Sequence, residues 1–96
     1  MISVEFYRFA DREKRKRTKD GILKNKSICF SHPLELELPL SKKLLSAAFA
    51  QGAFFTSRAE ECDMYVCFEG EGGQRLKSVK GRVLTTDEFS AYMGVE

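Results

Sequence analysis

At 96 residues, 43% apolar and 31% charged, the chain is long enough for one small globular domain with a modest core and too short for two. Its net charge of +2 hides an asymmetry: residues 1–26 carry nine Lys/Arg against four Asp/Glu (+5), and residues 27–96 carry seven against ten (−3). No apolar run approaches the roughly 18 residues of a membrane span, the N-terminus lacks the order of a secretory signal, and Cys29, Cys62, Cys67 and the lone His32 form neither a CxxC pair nor a familiar zinc spacing. These features predict a soluble intracellular protein with free thiols, no metal, no cofactor and no membrane contact.

Met1–Ala10 fits two patterns. Ile2, Val4 and Phe6 alternate as in a strand, while Phe6, Phe9 and Ala10 suit a helix, and the pattern does not choose between them. Asp11–Asp20 is a charge run without an apolar residue, expected to face water either as a solvated segment or as a phosphate-contacting arm. Gly21 ends it, and Ile22-Leu23 are expected to dock the chain before the first core strand, Ser27–Ser31. Residues 1–22 are thus read as a basic N-terminal arm, helical or disordered, and residues 23–96 as the domain proper.

Leu34–Leu40 (LELELPL) alternates, which predicts a small edge strand or an extended loop, since Pro39 would deny a central strand one hydrogen bond. Ser41 is read as the N-cap of a helix with its stripe at Leu44, Leu45, Ala48 and Phe49, ending at Gly52. Lys42 and Lys43 would then stand in its first turn, where exposure or a bound anion would offset the helix dipole. A short strand follows at Ala53–Thr56, then a polar loop over 57–61.

The run Met64–Phe68 is apolar without alternation, which suits a strand buried on both faces. Its natural neighbour is Ser27–Ser31, and the helix between them implies parallel pairing. Beyond the turn Glu69–Gly73, residues 74–80 read as a two-turn helix, Arg82–Leu84 as a fourth strand, and Thr85 to Glu88 as a capping box opening a helix that presents Phe89, Tyr92 and Met93. The order is β-α-β-β-α-β-α behind a basic arm.

In sequence, Lys24–Ser31, the helix-end glycine in Phe49–Ala53, Cys62-Asp63 before an apolar strand, the glycine-rich turn, the short helix with Arg75, Val83-Leu84-Thr85 and Thr86-x-Glu88-Phe89 together resemble the BRCT domain. The closest version is that of bacterial NAD-dependent DNA ligases and of the replication factor C large subunit. The resemblance spans residues 23–94. It implies a four-stranded parallel sheet in the order 2-1-3-4 flanked by three helices, the first and third on one face and the second on the other. The chain departs from the family pattern where His32-Pro33 follows Ser31 in place of a glycine, where Gly52 stands alone, and where Phe89 replaces a tryptophan.

BRCT domains are binding modules, so the resemblance implies a protein without catalytic activity. Ser31, His32 and Asp63 contain the atoms of a triad, but a histidine beside a proline at a strand end reads as a turn residue. No GxxxxGK loop occurs, and the carboxylates of Glu69–Gly73 would repel a nucleotide. In phosphate-binding members a hydroxyl, the next backbone N–H and a cation converge on one phosphate; the matching positions here are Ser31, His32 and Arg75. Two functions follow as expectations. One is a DNA replication or repair module holding duplex DNA or a DNA 5′-phosphate, with Arg8, Arg12, Lys14, Arg15, Lys16, Arg17, Lys19, Lys42 and Lys43 supplying the charge. The other is docking of a protein partner or self-association without nucleic acid.

Overall fold

The computed structural model describes residues 4–70 and 81–94. Four strands, β1 (Ser27–Phe30), β2 (Phe54–Phe55), β3 (Met64–Cys67) and β4 (Arg82–Thr85), form one parallel sheet in the order β2-β1-β3-β4. Ile28 stands beside Met64, Phe30 beside Val66, and Val66 beside Leu84, so the two expected buried strands are central neighbours. All four residues of β3 are buried. The charged residue at its foot is used as well: Asp63 Oδ2 accepts the Ser27 N–H at 2.8 Å, which joins the starts of β1 and β3.

Helices α1 (Val4–Glu13), α2 (His32–Leu36), α3 (Leu38–Ala50) and α4 (Thr86–Met93) accompany the sheet. Ile28, Phe30, Leu44, Leu45, Phe49, Val66, Leu84, Phe89 and Met93 share a single core, so α3 and α4 cover the same sheet face. Cys29, Cys62, Tyr65 and Cys67 make a smaller cluster on the other face. The expected helix over 74–80 lies outside the described residues. Thr85 and Glu88 close the capping box in both directions, at 3.2 and 2.9 Å, and Gly94 ends α4 in the left-handed conformation. Tyr92 is turned to solvent, unlike Phe89 and Met93. Among the described residues no helix is long and apolar enough to cross a membrane.

Two expectations are corrected. Leu34–Leu40 is neither strand nor loop: α2 and α3 meet there at Glu37. Pro33 and Pro39 each stand in the first two positions of a helix, where the missing N–H would have had no helical partner anyway. Ser41 is not a cap. It lies inside α3, fully buried, with its N–H on the Glu37 carbonyl at 2.8 Å. Lys42 and Lys43 consequently leave the first turn.

The N-terminal segment resolves as a helix whose inner side belongs to the main core. Phe6 is fully buried, its ring centroid 5.6 Å from Phe30 and 5.4 Å from Phe55, and Ala10 is buried beside it. The segment then returns along the end of α3. The Thr18 N–H donates to the Phe49 carbonyl, Thr18 Oγ1 to that of Ala50, and the Leu23 N–H to that of Gln51. These bonds supply the partners that a helix C-terminus lacks. Gly21 is needed there: with φ of +144°, any Cβ would collide with the Gln51 backbone. Leu23 is buried as expected, and Ile22 is not.

Candidate nucleic-acid interface

Because Phe6 and Ala10 fix which side of α1 faces the core, they also fix which side faces water. Arg8, Arg12 and Arg15, spaced four and three residues apart, follow the outer face into the helical turn at Lys14–Lys16. With Glu5 and Asp11 they line one shallow depression of about 530 Å³. The acidic residues of the segment are matched to lysines: Asp11 to Lys14 at 3.0 Å, Glu13 to Lys16 at 3.4 Å, Asp20 to Lys24 at 3.7 Å, and Glu5 to Lys42 at 4.0 Å. The side chains of Arg8, Arg12, Arg15 and Lys19 have no ion-pair or hydrogen-bond partner among the described residues. The outward field of the segment is therefore set mainly by arginine.

Not all nine expected cations belong to that face. Lys42 reaches from α3 to Glu5 and lies 5.6 Å from the Phe9 ring centroid. Lys43 is exposed one position further along α3. Arg17 is half-buried and turned inward. Its Nη1 donates to the Gly52 carbonyl at 3.0 Å and to that of Thr18 at 3.2 Å, and its guanidinium carbon stands 3.9 Å from the Phe54 ring centroid. Between α1 and β2 runs a groove of about 720 Å³, lined in part by Val4, Arg8, Lys14, Arg17 and Phe54.

The expected phosphate trio lies at the other candidate place. In the order β2-β1-β3-β4 the connections leave β1 and β3 in opposite directions, and the crevice above such a point is where open α/β sheets bind ligands. Ser31 stands there, with its N–H on the Val66 carbonyl at 2.8 Å. The residue is 2% exposed, and its Oγ accepts the Leu34 N–H at 3.3 Å as the N-cap of α2. His32 follows in the first turn. Arg75 lies outside the described residues, so the structure brings together two of the three.

A carboxyl group that the alternating pattern concealed lies beside them. Glu35 is 5% exposed, accepts the Tyr7 hydroxyl at 2.6 Å and lies 3.7 Å from His32 Nδ1. Burial pushes the Glu35 carboxyl above the ordinary range, against the opposing pull of Tyr7 and His32. Burial and this same bond raise the Tyr7 phenol. These groups, with Cys29 and Tyr65, border a pocket of about 370 Å³. Cys29 is pushed up to about 12 by burial and then by Cys62, Glu35 and Glu60, and burial also raises Cys62, so these thiols stay protonated. No spacing in the sequence announces Tyr7–Glu35 or Arg17–Gly52, which join residues 28 and 35 positions apart.

Comparisons with family models, with curated proteins and with solved structures find no match for this chain.

Proposed function

We propose that this chain is a BRCT-like module of DNA replication or repair that acts by binding, and that it grips duplex DNA through the phosphates. The fold reading is supported by the strand order, by α3 and α4 sharing one sheet face, and by the capping box at the sequence positions that carry the resemblance. The observation that carries the function is the row Arg8, Arg12, Arg15 on the outer face of α1, without partners among the described residues while the neighbouring carboxylates are held by lysines. Guanidinium groups on a rigid helix suit phosphate oxygens and pre-set the spacing at which they meet them. Action by binding is in keeping with protonated, buried thiols. The Ser31–His32–Arg75 trio is a second, subsidiary phosphate site, to be read as a preference for 5′-phosphorylated ends that Arg75→Gln removes.

The test is anisotropy of a labelled blunt duplex titrated with the full chain at several salt concentrations. Changing Arg8, Arg12 and Arg15 together to Ala should reduce the slope of log affinity against log salt by up to about 2.7, close to 0.9 for each phosphate that an arginine no longer neutralises. The melting temperature should hardly move, because exposed charges contribute little to folding. Equal weakening at every salt concentration, or no duplex binding by the unaltered chain, would favour partner docking instead.

A further inference from the structure

We infer that the groove between α1 and the edge strand β2 takes one unpaired nucleotide, its base against the Arg17–Phe54 stack and its phosphates toward Arg8 and Lys14; this rests on the nucleic-acid reading above. Phe54 stands in the outermost strand, β2, and is 42% exposed. Arg17 lies over that ring at 3.9 Å and is anchored to two backbone carbonyls through Nη1 alone. Its Nε and Nη2 make no hydrogen bond among the described residues. The result is a planar cation fixed before any ligand arrives, with donors to spare, so little ordering is lost on binding.

Bases stack on aromatic rings and on guanidinium planes without regard to sequence. A base inside a duplex is stacked on both faces and the end pair on one, whereas an unpaired base can leave the stack and enter such a slot singly. The groove has the size of an ordinary small-ligand site, at about 720 Å³. Its charge is also complementary, with Arg8, Lys14 and Arg17 against Asp11 alone. The Asp11–Lys14 pair is solvent-exposed on both sides, hence weak enough for a phosphate to displace the carboxylate. An acidic peptide suits the charge too. It would have to add along β2, however, whose two residues give it few ladder bonds.

The experiment compares the full chain on a blunt duplex and on the same duplex carrying a single-stranded tail of two nucleotides that includes 2-aminopurine. The tail should tighten binding roughly tenfold, the effect of one stacked base, and 2-aminopurine fluorescence should be quenched. Phe54→Leu, which keeps an apolar side chain and removes the ring, should bring the tailed-to-blunt affinity ratio to near one and abolish the quench. Arg17→Lys, which keeps the charge and removes the plane, should do the same and guards against a folding defect in the first variant. Equal affinity for both duplexes, or a tail effect that survives both variants, would overturn the inference while leaving duplex binding standing. Phe54-dependent binding of an acidic peptide without a tail effect would overturn it in favour of a peptide groove. Failure to bind either duplex would remove the proposed function and this inference together.

Discussion

The outer face of α1 and the C-terminal edge of the sheet both carry groups that suit an anion, and they treat their carboxylates in opposite ways. On α1 Glu5 and Asp11 are exposed, Glu13 is half-buried, and all three are neutralised by nearby lysines, which leaves the arginines to act outward. At the sheet edge Glu35 is buried, a tyrosine hydroxyl is tied to it, and the nearby Ser31 oxygen accepts the cap bond of α2. A surface becomes available to an external anion when its internal partners are satisfied locally. It becomes structural when those partners are drawn into the core.

The largest effect should come from the residue that ties the two regions together. Phe6→Ala removes a fully buried ring from among Tyr7, Phe30 and Phe55, and should lower stability by about 3–5 kcal/mol in denaturant unfolding. If α1 were an appendage, stability would fall by a few tenths and duplex affinity would be unchanged at any salt concentration. Ser31→Ala should cost about 1 kcal/mol by removing the cap. Should it also weaken binding of a 5′-phosphorylated duplex relative to its 5′-OH counterpart, the hydroxyl serves both the cap and a phosphate; a drop in stability alone would confine it to the cap.

The smallest effect concerns Glu35. Its carboxyl is raised in the folded chain, so between its unfolded and folded pKa values the folded state binds more protons, and stability falls as pH rises through that window. Glu35→Gln keeps an acceptor for the Tyr7 hydroxyl and removes the buried charge. It should flatten this decline and leave the variant more stable than the parent near neutral pH, as seen in melting curves across the acid range. His32 and Tyr7 face the same carboxyl, so the informative quantity is the difference between the two proteins at each pH. A parallel pair of profiles would show that Glu35 is no more costly ionised than protonated.

The central strands are legible in the sequence because β1 and β3 are short apolar runs, and a strand covered on both faces is the environment that accommodates Met64–Cys67. The α3 stripe and the Thr85–Glu88 box are legible for the same local reason. Leu34–Leu40 misleads because its composition mimics period two: Leu34 and Glu35 are both buried while Leu36 is exposed, a helical pattern written in alternating letters. Pro33 suggests the end of a strand and Pro39 an edge strand or loop, and both in fact stand at helix starts. In the site, the cations are readable and their sorting is not. Which arginines face outward depends on the seating of Phe6, and whether Arg17 is surface or scaffold depends on the Gly52 carbonyl.

The sheet ends at β2, and an uncovered rim of that kind invites pairing with the rim of another copy, the usual route by which β-proteins associate without control. Here the rim is two residues long, and a fixed positive charge lies across its exposed ring. Like charges beside two such rims repel as the molecules approach. The side chain that latches the N-terminal segment to the end of α3 thereby also sets a charge beside the rim, the kind of feature by which open sheet edges are kept from pairing.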